Sequence, residues 1–421
     1  MKTRNLSFLM AVGSIVLGLL AESPTSFAQT ATEEIPVGRG AAGIAVNPNT
    51  NRIYVANMQD NTVSVIDGAS NAAVATIDVE TQPLAVAVNP AANRIYVANS
   101  GSNSLSVIDG GNDSVVATAQ VGNQPTRILV NPANNRVYVT NFKDDSVSVL
   151  DGASNTILAT VRVGFRPTAT AVNPTTNRLY VANTNGNSVS VLDGSSNAVL
   201  ATITVGTSPQ GLAVNATTNR VYAINNGSNN VSVIDGSTNA VVATLAVGAQ
   251  PLDIVENPAT RRLFVANFNS DNVSVIDETS NSVVATLGVD LGPTFTILNP
   301  RTGHVFVVNE LVNTVSVIDG NGSAVLATVP VGAGPTRAAV DPTTNRVYVV
   351  NSGVGTVTTF EDNFGASPAP GAAPQSTPVP TAGPSGPGSY PPGPGTLIAG
   401  LMAAGLVAGG VAFYLSGRRR D

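Results

Sequence analysis

A short motif of Asn-Arg, a hydrophobic residue and Tyr, or a close variant of it, returns every 42 residues along this chain of 421. Arg52, Arg94, Arg136, Arg178, Arg220, Arg262 and Arg346 fall on that grid, and His304 fills the one remaining slot. The register is unbroken across eight copies. A fixed period of this length with strand-like content is the mark of a β-propeller in which each repeat makes one four-stranded blade.

The second copy shows how a repeat is built. Leu84–Val88 is followed by Asn89-Pro90, then by Arg94–Asn99, Leu105–Asp109 and Ser114–Thr118. Each run is short, rich in β-branched residues and bounded by Asn, Gly, Pro or Asp, as strands are. The intervening turn residues supply fixed or positive φ. Four such strands, A to D, joined by short loops must meander antiparallel. In Arg94–Asn99 neither alternating face is consistently polar, so both are expected to be covered, as they are in a blade packed between two neighbours.

The ends of the array fix its closure. Seven A-to-D units run from about Gly38 to Val331, and an eighth supplies only A, B and C before Pro-rich sequence begins. Ile35-Pro-Val-Gly38 matches Val329-Pro-Val-Gly332, the close of a D strand. The expectation is an all-β propeller of eight blades closed by this N-terminal strand, with seven blades plus an accessory hairpin as the alternative.

The repeats resemble the YVTN-type propeller family of microbial cell-surface and surface-layer-like proteins. Tyr54-Val-Ala-Asn57, Tyr96-Val-Ala-Asn99, Tyr138-Val-Thr-Asn141 and Tyr180-Val-Ala-Asn183 carry the likeness, with Val-Ser-Val-Ile-Asp-Gly following. The resemblance implies the fold and a surface or periplasmic setting, and it transfers no catalytic residues.

The flanks read as export and anchoring signals. Residues 1–28 hold Lys2 and Arg4, an apolar stretch from Leu6 to Leu20 and a Ser26-Phe27-Ala28 cleavage site, the pattern of a signal peptide. The propeller is assigned to residues 29–361. A Pro/Gly-rich stalk over 362–395 is too poor in apolar residues to fold. The uncharged run 396–416 is long enough for one membrane crossing, and residues 417–421 form a basic cytoplasmic tail. The chain contains no Cys and carries a net charge of −6, or −9 without signal and tail. Such an acidic surface disfavours nucleic acid, and a thiolate nucleophile is excluded.

The recurring charges read as structure. With Asn57 opposite Thr62 across the B–C loop, Arg52 faces Asp67, and the same register sets Arg94 against Asp109, Arg136 against Asp151 and Arg178 against Asp193. It further pairs Arg220 with Asp235, Arg262 with Asp277, His304 with Asp319 and Arg346 with Glu361. Each cross-strand pair is worth about 0.2–1 kcal/mol. The invariant Asn57, Asn99, Asn141, Asn183, Asn225, Asn267, Asn309 and Asn351 end their B strands, where Asn bonds loop backbone or takes φ > 0. His304 is the only histidine, and no metal or cofactor motif accompanies it.

Function is expected where copies differ. The D–A and B–C loops emerge on one face, and there Arg127, Phe142, Lys143, Phe165 and Arg166 depart from the consensus across blades three and four, as do Phe268 and Phe295 on six and seven. Aromatic and Arg side chains are the usual interface anchors. The leading reading is a non-enzymatic, membrane-tethered, monomeric propeller that binds an extracellular protein or glycan, or serves as envelope structure. The alternative is a lyase- or lactonase-type enzyme with a divalent cation in the central channel, for which Asp253 and Glu256 are the inward candidates.

Overall fold

The computed structural model describes residues 32–365. The expected signal peptide, most of the stalk, the membrane span and the basic tail lie outside the described residues. Among those residues, no helix is long and apolar enough to cross a membrane.

Eight four-stranded antiparallel sheets follow one another along the chain. Blade one is typical, with strand A at Ala41–Asn47, B at Arg52–Asn57, C at Thr62–Asp67 and D at Ala72–Asp78. Blade eight is completed from the other end of the chain. Glu33–Pro36 pairs antiparallel with Thr356–Glu361, placing Ile35 opposite Val357. The N-terminal strand therefore closes the ring as expected.

The core is not one mass. It divides into eight apolar clusters, each shared by two neighbouring blades. Tyr54, Val63 and Val65 of blade one, for example, pack on Ile95, Val97 and Ile108 of blade two. The B and C strands are buried on both faces, which is why their alternation is not polar–apolar. Packing continues past Glu361, where Phe364 meets Phe306 and Phe360 edge-to-face between blades seven and eight.

Asn serves three different purposes in the repeat. Every loop of blade one holds a residue in the left-handed region: Asn51, Asn61, Asn71 and Gln82 all have φ near +55°. Among non-Gly residues Asn tolerates that conformation best, so the Asn content follows from the number of turns. The Asn residues that end the B strands are different and lie in extended backbone. Asn99 Nδ2 donates to Ser104 Oγ (3.1 Å) and Ser106 Oγ (2.9 Å), and Asn183 Oδ1 accepts from Gly164 N (3.1 Å). They bond side chains and loop backbone; the positive φ belongs to the turn residues. A third set, at the ends of the A strands, joins blades: Asn47 Nδ2 donates to Asn93 Oδ1 at 2.7 Å and Asn89 to Asn135 at 2.8 Å.

The charge ladder stands opposed in register from Arg52↔Asp67 to Arg346↔Glu361. Arg94–Asp109 (2.8 Å), Arg220–Asp235 (3.0 Å) and Arg346–Glu361 (3.1 Å) are close ion pairs; Arg262–Asp277 is another, and Arg136–Asp151 is looser at 3.4 Å. Arg52–Asp67 opens to 3.9 Å. Arg178 turns to the next blade and donates to the Gly236 carbonyl. The expected His304–Asp319 pair does not form. His304 is buried and its Nδ1 lies 2.6 Å from Asp362 Oδ1, reaching blade eight, while Asp319 caps its own turn through Ser323. Asp362 occupies the position of the Gly that follows the acid in most other blades, and Phe306, without the usual Tyr hydroxyl, packs in the same blade seven–eight interface.

Asp193 shows why single ladder acids are expected to matter little. Its Oδ1 accepts the N–H groups of Ser195 (3.0 Å) and Ser196 (2.8 Å), a turn that the carbonyl of Asn can also hold. Asp193→Asn is expected to cost at most about 1 kcal/mol in denaturant unfolding. Loss of ligand capture with an unchanged unfolding curve would instead make this position functional.

Candidate functional site

The D–A and B–C loops are zipped together on one face of the ring. Phe142 N donates to Gln124 O at 3.0 Å and Lys143 N to Asn123 O at 3.2 Å within blade three; Thr184 N donates to Arg166 O at 3.0 Å within blade four. A further bond links consecutive blades, Asp145 Oδ1 accepting from Arg166 N at 2.8 Å. Such bonds hold the tips in fixed positions before any ligand arrives.

Of the expected site residues, four assemble. Phe142 is buried rather than a solvent-facing tip, and the Arg166 guanidinium lies over its ring, 5.1 Å from the centroid. Beside this stack Phe165 projects with 63 % of its surface exposed, and Lys143 and Arg166 are exposed too. Asp144 and Asp145 sit among them, so the patch is mixed in charge and its distinctive feature is the aromatic tip with its Arg neighbour. Phe268 lies in a 3-10 turn, Phe268–Ser270, on the same face at blade six. Exposed Leu291, Leu311 and Val354 add apolar tips on blades seven and eight that sequence comparison passed over.

Arg127 and Phe295 belong elsewhere. Both were expected at the loop tips, but the A strands begin earlier, at Pro125 and Pro293, and a bulge after each Pro turns the residue two places on toward the channel. At that position the blades carry, by spacing, Gly43, Ala85, Arg127, Ala169, Gly211, Asp253, Phe295 and Arg337. Four are small and four are not. Arg337 was legible as a departure at this one position, had the copies been aligned through their Pro residues.

These side chains meet at the channel mouth. A cavity of about 130 Å³ is lined by Arg127, Phe295 and Arg337 among others. Arg337 lies over the Phe295 ring at 4.9 Å. Burial, and then the charge of Arg127, push the Arg337 guanidinium down to about 9. Asp253 is tied to blade seven, its Oδ2 accepting from Thr296 N (2.8 Å) and Oγ1 (3.1 Å), and burial raises its pKa. Glu256, the other inward candidate, lies instead within electrostatic reach of Glu278. Among the described residues no three His, Cys, Asp or Glu side chains come together as a metal would require.

The Glu256–Glu278 pair sets a pH dependence. Burial first, then the Glu278 charge, lifts the Glu256 carboxyl from its usual 4.5 to about 7. Between those values the folded chain keeps a proton that the unfolded chain releases, so stability falls as pH rises through that window. Glu256→Gln is expected to be more stable than the parent at pH 8, by about 1–2 kcal/mol after allowing for solvent screening. The gain should vanish by pH 4. Equal unfolding midpoints at pH 8 would show the carboxylate pair to be uncoupled from stability.

The architecture defines an eight-bladed propeller with near-identical blades and a differentiated loop face. The chain belongs to the YNCE-like beta-propeller family, whose profile matches residues 116–362. No curated protein matches it. Among solved structures it is similar to the hydrazine synthase of Kuenenia stuttgartiensis, with a TM-score of 0.55 and 17 % identity over 83 % of this chain and 100 % of that one. It is also similar to the dihydro-heme d1 dehydrogenase NirN in complex with DHE, with a TM-score of 0.62 and 14 % identity over 75 % and 72 %. At these identities the likeness is one of fold.

Proposed function

We propose that this propeller is a non-enzymatic binding module, exported and tethered by its C-terminal segment, that captures an extracellular protein or glycan on its D–A/B–C face. The observation that carries this reading is Phe165, a large aromatic side chain standing in solvent beside Arg166 on loops locked by hydrogen bonds from both flanking blades. An exposed aromatic on a preorganised backbone loses little entropy on binding, and Arg beside it adds directional donors. Scaffold positions repeat because each blade meets identical neighbours, whereas a tip in solvent is free to differ. The proposed export signal, stalk and apolar segment would present this face away from the membrane. The reading is tested by binding of the full-length chain to arrayed glycans and surface proteins, with and without the Phe165 side chain. Unchanged binding without it would overturn this assignment.

A further inference from the structure

The cavity at the channel mouth is separate from the rim patch, and its lining is unusual for so uniform a propeller. Arg127 of blade three and Arg337 of blade eight enter it from either side of blades one and two. Neither guanidinium forms an ion pair or side-chain hydrogen bond among the described residues, although Arg127 feels the charge of Asp253 and Arg337 those of Asp253 and Glu310. Asp253, the carboxylate that acts on both, spends an oxygen on Thr296. Thr126 also lines the cavity, and its hydroxyl has no hydrogen-bond partner among the described residues. The wall between the arginines is apolar, with Leu84 and Val86 on blade two, and Phe295 stands beside Arg337.

We propose that this cavity binds a small organic anion, a carboxylate or phosphate group held between Arg127 and Arg337 with an apolar body against Leu84, Val86 and Phe295. Two guanidiniums lining one confined cavity are poorly hydrated, and the charge of Arg127 disfavours that of Arg337. An anion between them relieves both penalties at once, and the fork of each guanidinium matches a carboxylate or phosphate edge. Burial and mutual charge lower the pKa of Arg337, yet at about 9 it remains a cation at neutral pH. The lining residues are among the first of their A strands, just after the D–A loops, so the cavity lies toward the D–A end of the channel.

The substitutions that test this are tolerated by design of the repeat. Ala is what blades two and four already carry at this position, as Ala85 and Ala169. Arg127→Ala and Arg337→Ala should therefore leave the thermal unfolding midpoint nearly unchanged, and Arg337→Gln keeps the bulk if either fails to fold. Calorimetric titration of the full-length chain with benzoate is expected to saturate, while benzylamine, the same ring with a cationic group, does not bind. Each arginine variant should weaken benzoate about tenfold or more, as expected for loss of one charge-assisted contact. Inorganic phosphate should bind more weakly than benzoate and lose affinity in the same variants. A Phe165→Ala variant should bind benzoate as the parent does, which separates this site from the rim. Equal binding of benzylamine, or benzoate affinity unchanged in both arginine variants, would overturn the proposal; phosphate binding tighter than benzoate would overturn the role of the apolar wall.

Discussion

Deleting residues 29–37 is expected to lower the thermal unfolding midpoint by about 6 °C or more and to make the chain self-associate. Two losses combine. Ile35 is 2 % exposed and packs with Ile53, Val55 and Ile66 of blade one and Tyr348, Val350 and Val357 of blade eight. Emptying such a site costs about 2–5 kcal/mol. The strand also supplies a full ladder, Glu33↔Thr359 to Pro36↔Thr356, with Val37 N donating to Gly355 O at 2.9 Å. Without it Thr356–Glu361 becomes an open sheet edge, a template for another chain. At about 2.1 cal/mol/K of unfolding entropy per residue, a domain this large moves its midpoint by about 1.4 °C per kcal/mol, so a loss of about 4–5 kcal/mol gives the stated shift. Ile35→Ala should show the packing part alone, remaining monodisperse with a smaller drop. Unchanged midpoint and elution of the deletion variant would mean that the ring closes without its N-terminal strand.

The closure was legible because a repeat protein states its own missing part. Ile35-Pro-Val37 repeats the end of a D strand, and no other segment completes blade eight. Strand order and register followed from the same periodicity, since one loop pairing, Asn57 with Thr62, determines every facing pair up to Arg52↔Asp67. What periodicity could not show is contact between blades. His304 seeks Asp362, 58 residues away, because in the ring blade seven abuts blade eight; its partner within the repeat, Asp319, is merely nearer in sequence. The Asn47–Asn93 and Asn89–Asn135 latches were hidden for the same reason. Arg127 and Phe295 were hidden by a single bulge in each A strand. Counting Pro125-Thr-Arg127 as loop puts Arg127 at a tip, whereas a strand beginning at Pro125 with a bulge at Thr126 turns it to the axis. Strand boundaries are the weakest part of any reading from pattern, and here an error of two residues placed a channel arginine on the rim.

Replacing Phe165 by Ala and Arg166 by Gly together is expected to weaken partner capture by about 2 kcal/mol or more, roughly 30-fold in Kd, while leaving the fold intact. Stability should hold because neither side chain supports the scaffold. Phe165 is 63 % exposed, and Arg166 has φ = +51°, a conformation in which a β-carbon is strained. Blades one, seven and eight place Gly40, Gly292 and Gly334 at that same left-handed position. Gly there relaxes the backbone and keeps the N–H that bonds Asp145, so its greater freedom in the unfolded chain is roughly offset. Phe142 is a poorer probe, since it is buried beneath Arg166 and its loss would disturb the loop itself. Affinity should fall because the variant removes the one large exposed aromatic at this tip together with the guanidinium beside it. Arg166→Lys should recover only part of the loss, since an ammonium cannot stack flat on the Phe142 ring. Surface plasmon resonance against a glycan or protein ligand identified with the parent chain measures both. If the double variant binds that ligand as tightly as the parent, the rim at blades three and four is not where this propeller engages its partner.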